Sequence, residues 1–261
     1  MTIYWQGEAR AVGTPTMTQA ERAARVQLAA AYRIFDHLGW TEMIFNHITV
    51  RVPAPDGRDD RLFLINPFGL HYREITASSL VLIDVDGNPV RETRWPVNRA
   101  GFVIHSALHG ALDDAHCVMH THTTTGMAVA SLREGLSPTN FYAAQLHGQV
   151  AYHDFEGVTV DPAEKARLVA DVGDKRAVIL RNHGLLAWGP SVPEAFMMLW
   201  TLQRACDVQV AAASAGALNP IRPEVFEQAV RESGPGEKRV CEDVFAALQR
   251  IVDAKDASYR N

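Results

Sequence analysis

The chain has 261 residues, 47% of them hydrophobic, with a net charge of −5 and an isoelectric point near 6.1. That apolar content suffices for one sizeable core, and a slightly acidic chain without a basic block argues against a nucleic-acid partner. No apolar run approaches the roughly 20 residues of a membrane span, and the first residues lack an apolar signal-peptide region. Three widely spaced cysteines without a CxxC pair fit reduced thiols in a cytoplasmic protein.

In chain order, residues 1–17 are rich in Gly, Pro and Thr and are expected to form a flexible arm. Thr18-Gln19-Ala20-Glu21 reads as a capping box, with Glu21 reaching back to the cap, and the helix it opens ends near Gly39. IFNHITVRV (44–52) alternates residue by residue and reads as a strand. RLFLIN (61–66) closes a hairpin with it. SLVLIDVDGNPV (79–90) reads as a further strand pair turned at Asp86-Gly87. A helix carries RAGFVIHSALHGAL, and CVMHTH is a strand leading into the helix TTTGMAVASLREG. GQVAYHDFEG is extended. Asp161-Pro162-Ala163-Glu164 then opens a helix to Gly173. AVILRNHG is a buried strand, and Ser191-Val192-Pro193-Glu194 caps a long helix to about Gly216. One more amphipathic helix, EDVFAALQRIVD, follows Asn219-Pro220.

Hairpins in the first half argue against a purely parallel, doubly wound sheet. The expected architecture is α/β, with a mainly antiparallel sheet between helices. One domain covers 18–218, and a helical extension covers 219–261.

The histidines carry the functional signal. On a strand His120 and His122 point the same way, roughly 6.5–7 Å apart, which lets two imidazole nitrogens approach one cation at about 2.1 Å. HxH alone is weak evidence. His183, in AVILRNHGLLAWG, ends a buried strand, where sheet proteins place functional groups. Gly184 beside it permits a turn or close backbone approach. On its own His183 reads first as a histidine capping a strand through a backbone hydrogen bond.

These segments together resemble the class II aldolase/adducin family, over about residues 20–216. GWTEMIFNHITVRV, FLINPFGLHYREITASSLVLIDVDG, VNRAGFVIHSALHGAL, GQVAYHDFEG and ILRNHGLLAWG are similar to its adducin-like branch in particular. The resemblance implies a three-layer α/β/α fold with a mostly antiparallel sheet, and a homotetramer with active sites at subunit interfaces. It also implies a divalent metal, zinc foremost with manganese or iron(II) as alternatives, held by His120, His122 and His183.

This chain departs from the sugar-phosphate aldolases of the family in two ways. Their acid/base glutamate stands four residues before a histidine, which here is His105, and Gly101 occupies the glutamate's place. Their phosphate-binding segments correspond here to Asn46-His47-Ile48-Thr49, to Asn66-Pro67-Phe68-Gly69 and to the neighbourhood of Asn98-Arg99. Small hydroxyl donors and a backbone nest suit phosphate, whereas a histidine and a phenylalanine do not. The expected substrate is therefore a small non-phosphorylated hydroxy- or keto-acid, contacted by His47, Asn66, Phe68, Gly69, Arg99 and Gly101, with Arg99 able to pair a carboxylate. Tyr152, His153 and His105 are the candidate proton carriers.

Retro-aldol cleavage or decarboxylation through a metal-bound enolate is the expected chemistry, and decarboxylation needs no base to start it. Two alternatives stand beside it. One is an Fe(II) oxygenase on the same fold. The other is a non-catalytic adducin-like scaffold, against which the retained histidines and the lack of adducin's basic tail both weigh.

Overall fold

The computed structural model describes residues 17–53, 62–97, 99–157, 163–233 and 236–261. The expected N-terminal arm falls almost entirely outside them, as do Asp161 and Pro162 of the expected cap and the side chains of Arg99 and Gly101.

Helix α1 (Gln19–Leu38) begins where Thr18 accepts the Glu21 N–H at 3.0 Å and ends at Gly39, whose φ of 73° is readily available to glycine. Glu21 does not reach back to the cap. Its carboxylate is buried and takes Arg25 at 2.8 Å and Arg91 at 2.7 Å. Arg25 in turn donates to the carbonyls of Ala77 and Leu80, which ties α1 to the segment before the third strand.

The strands are β1 (His47–Val52), β2 (Leu62–Ile65), β3 (Val81–Ile83), β4 (Cys117–Thr121), β5 (Val150–His153), β6 (Ala177–Leu180) and β7 (Gly184–Gly189). They form one sheet in the order β3-β2-β1-β4-β7-β6-β5. Every pairing is antiparallel except β5 with β6, which are joined by a helical crossover through α5 (Glu164–Val172).

Two sequence expectations change here. Residues 79–90 do not form a full strand pair, because only a single bridge joins Ile83 to Pro89. Pro89 has no N–H to give a ladder, and the Asp84 carboxylate takes the N–H groups of Asp86 and Asn88 into a tight turn. The buried strand expected over residues 177–184 ends at Leu180, and residues 177–189 form a hairpin. It turns at Asn182, whose φ is 57°, and the His183 N–H closes on the Leu180 carbonyl at 3.0 Å.

Helices cover both faces. On one side α1, α3 (Thr124–Ala130), α4 (Phe141–Gln145), α6 (Val192–Ala215) and α8 (Lys238–Lys255) share a core with Ile48, Leu64, Met119, Ile179 and Leu185. On the other side α2 (Arg99–Ala111) and α5 pack Leu108 and Leu168 against Val118, Val178, Leu186 and Trp188. The result is the expected three-layer α/β/α arrangement with a mostly antiparallel sheet. Ser191 caps α6 by accepting the Glu194 N–H, as the sequence predicts. The short α4 and α7 (Phe226–Ser233) were not legible in the sequence. No helix among the described residues is long and apolar enough to cross a membrane.

Candidate metal centre

Alternation along β4 turns Cys117 and Met119 toward the α6 side, and Val118 and His120 toward the α2 side. His120 pairs in register with His47 of β1 and with Leu186 of β7. His122 follows directly after β4, and His183 sits in the β6–β7 turn. One nitrogen from each of His120, His122 and His183 lies within 4.8 Å of the other two. The His120 and His122 Nε2 atoms are 2.7 Å apart, and the ring centroids of the three residues are separated by 4.6 to 4.9 Å.

The protonation pattern of this cluster suits a cation. His120 Nδ1 lies 2.9 Å from the Leu185 carbonyl, which can only accept, so Nδ1 carries the proton and Nε2 keeps its lone pair. Burial, reinforced by His183, pushes His122 down to about 4. His120 and His183 are also lowered, burial being the main cause in each. All three imidazoles are therefore neutral at pH 7, the state a metal ligand requires. His120 is buried while His122 and His183 are half-buried, which leaves one side of the cluster accessible.

Gly184 is required by this packing. A Cβ there would press on the Thr121 carbonyl and come within 3.0 Å of the His122 ring and 3.2 Å of the His120 ring.

Behind the cluster lies a second group of imidazoles. The His47 ring is 5.6 Å from that of His120 and 4.1 Å from that of His105. His105 Nδ1 and His109 Nε2 both lie 2.7 Å from the Thr49 hydroxyl, and His109 Nδ1 lies 2.5 Å from the Ala115 carbonyl. Thr49 and His109 were not among the residues expected at the site. The signal for them was present, since His105 and His109 are spaced i, i+4 on a helix and Thr49 shares a strand face with His47.

The other expected residues are dispersed. Asn66 is buried and accepts from the Tyr32 hydroxyl at 2.9 Å. Phe68 packs near Phe45, and its N–H donates to the Pro96 carbonyl. Gly69 has a φ of 102°, which the loop geometry reserves for glycine. Asn46, at a φ of 67°, holds a buried carboxamide with no protein partner among the described residues.

Tyr152 and His153 do not join the three histidines. Tyr152 points to the opposite face of the sheet from His153, accepts the Leu136 N–H at 3.0 Å and lies under the Arg181 guanidinium. His153 is buried between Asp171, 2.7 Å from Nδ1, and Glu164, 3.5 Å from Nε2. It borders a cleft that it shares with Glu164, Phe155 and His183.

Residues 26–210 match the family model described as the class II aldolase and adducin N-terminal domain. The chain belongs to the class II aldolase and adducin family. An aldolase II superfamily protein of Pseudomonas syringae is 43% identical, with a TM-score of 0.87 over 98% of this chain and all of that one. An L-fuculose 1-phosphate aldolase of Glaciozyma antarctica PI12 is 28% identical, with a TM-score of 0.80 over 92% of this chain and 93% of its own. Alpha-adducin of Rattus norvegicus is 41% identical over 90% of this chain, which matches 34% of that longer protein. This member of the class II aldolase family thus resembles named aldolases and adducin alike.

Proposed function

We propose that the chain is a divalent-metal-dependent carbon–carbon lyase, of retro-aldol or decarboxylase type, acting on a small non-phosphorylated hydroxy- or keto-acid. The observation that carries this reading is the convergence of His120, His122 and His183, from two separate segments, with the His120 tautomer set by the Leu185 carbonyl. Three neutral imidazoles with an accessible side match a catalytic rather than a closed structural site. Zinc is the proposed ion, with manganese or iron(II) as alternatives, and a homotetramer is the proposed assembly.

An ion held there supplies Lewis-acid stabilisation of the negative charge that develops on a carbonyl oxygen as the carbon–carbon bond breaks. The chain's own residues orient the ligands and handle protons. Leu185 fixes His120, and Gly184 lets the β7 backbone approach both ring systems. His47 and His105 extend the polar surface behind His120. His153, held by Asp171 and Glu164 beside His183, remains a candidate proton carrier. Tyr152 has no place in the proposal, since its side chain lies on the far face. The likeness to an L-fuculose 1-phosphate aldolase supports aldol-type chemistry, while His47 and Phe68, replacing phosphate-binding residues, disfavour a phosphorylated substrate.

The 41% identity to alpha-adducin favours a second reading, a binding module without turnover. Elemental analysis of the purified protein, beside His122→Ala, separates the two. The lyase reading expects about one divalent ion per chain in the wild type, loss of at least about tenfold in the variant, and oxygen-independent cleavage of hydroxy- or keto-acids. Oxygen consumption with iron(II) would move the reading to an oxygenase, and a wild type without metal would leave the binding module.

A further inference from the structure

Helix α3 touches the segments that carry all three histidines of the cluster. Its N-cap, Thr123, follows His122 directly, and the Thr123 hydroxyl accepts the Gly126 N–H. Its last residue, Ala130, accepts the Asn182 N–H at 2.9 Å, one residue before His183. Its middle lies on Leu185, whose carbonyl orients His120. A Cβ on Gly126 would come within 2.9 Å of the Leu185 side chain and 2.6 Å of the Thr123 hydroxyl, so glycine is what allows that approach. A helix of seven residues has little stability of its own. What holds its first turn is a set of hydrogen bonds to α6.

Gln203 of α6 is buried, and its Oε1 accepts from the Thr123 hydroxyl at 2.5 Å. Its Nε2 donates to the Thr125 hydroxyl at 2.8 Å and to Asp207 Oδ1 at 2.7 Å. Thr125 also donates to Asp207, whose other oxygen takes Arg204 at 3.0 Å. A carboxylate only accepts, so Nε2 faces Asp207 and Oε1 faces Thr123. Both amide protons and both threonine protons have acceptors, which leaves the Gln203 side chain one orientation.

We infer that Gln203 is a positioning residue for the proposed metal centre. By locking the first turn of α3 through Thr123 and Thr125, it fixes where His122 stands relative to His120 and His183. The inference rests on the metal reading of those three histidines.

The test is calorimetric titration of the full-length wild type, Gln203→Met and Gln209→Met with Zn²⁺, beside urea unfolding of each without metal. Methionine keeps the length of glutamine and removes its hydrogen bonds. Gln209 is the matched control, buried on the same helix and bonded to the Gly135 carbonyl at 3.0 Å and the Ser137 N–H at 2.7 Å, past the far end of α3. Both variants are expected to unfold at lower urea than the wild type. Zn²⁺ affinity is expected to fall about tenfold or more in Gln203→Met and to stay within about threefold in Gln209→Met. Thr123→Val should match Gln203→Met, the double variant should lose little more than either single one, and Thr123→Ser should keep wild-type affinity. Unchanged affinity in Gln203→Met, or equal losses in the two glutamine variants, would overturn the inference while leaving the metal reading in place. A wild type that binds no Zn²⁺ would defeat both. Should Gln203→Met not fold, Thr123→Val and Thr123→Ser decide, and equal affinity in those two would overturn the inference.

Discussion

His109 and His122 are kept neutral at a cost that shows in acid. Burial holds His109 near 3 and His122 near 4 in the fold, against 6.5 for a free imidazole. The folded-state values lie below the unfolded one, so the unfolded chain binds protons more readily. Stability is expected to be unaffected by these groups above about pH 6.5, to fall as the pH drops through that value, and to keep falling until the folded values near 3 to 4 are reached. Urea unfolding of metal-free protein should therefore show a lower midpoint at about pH 5 than at about pH 7.5. Equal midpoints would contradict the neutral, buried imidazoles. At this scale the sequence was informative about which histidines cluster and silent about their partners. The HxH spacing and the NHG segment nominated His120, His122 and His183. Nothing in the sequence could show that the proton on His120 is fixed by the carbonyl of Leu185, because a backbone carbonyl leaves no residue-type signal.

Among the elements, the β4–β7 pair is the one on which the site depends. Gly184→Ala places a methyl group against the Thr121 carbonyl and both histidine rings of the β4 end. The expected result is a loss of about 1–3 kcal/mol of stability and about tenfold or more in zinc affinity, read by calorimetric titration. Wild-type affinity in that variant would mean that the ring positions do not depend on this approach. The β6–β7 hairpin itself was hidden in the sequence, because residues 177–189 are apolar on both sides of a short turn and Asn182 supplies the left-handed residue without a glycine. Strands β1, β2 and β4 were legible because alternation or an uninterrupted apolar run marks them. Helix α4 was not, since the five residues Phe141–Gln145 are too few to display a helical period.

For the molecule as a whole, the segment after α6 is part of the packing. Phe245 of α8 is buried 5.9 Å from Phe196 of α6, and the Ala77 N–H reaches the Tyr259 carbonyl at 2.7 Å. Phe245→Ala is expected to cost about 3–5 kcal/mol, measured by urea denaturation. A change below about 1 kcal/mol would show that the helix is only loosely applied. The three-layer arrangement followed from the family resemblance and from the hairpins of the first half. The docking of α8 on α1 and α6 did not, since amphipathicity shows that a helix has an apolar face but not which neighbour covers it.

The strand order has a mechanical corollary. β1, β2, β3 and β4 come from the first half of the chain, β5, β6 and β7 from the second, and among the described strands the two groups pair only along β4 and β7. His120 and His122 stand on one bank of that seam and His183 on the other, so an ion shared by them would act as a rivet. Loading zinc should slow amide exchange along the Cys117–Gly189 to Thr121–Leu185 rungs and leave the outlying β2–β3 rungs untouched. Uniform slowing across the sheet would mean that the ion stiffens the whole fold instead of pinning its two halves together.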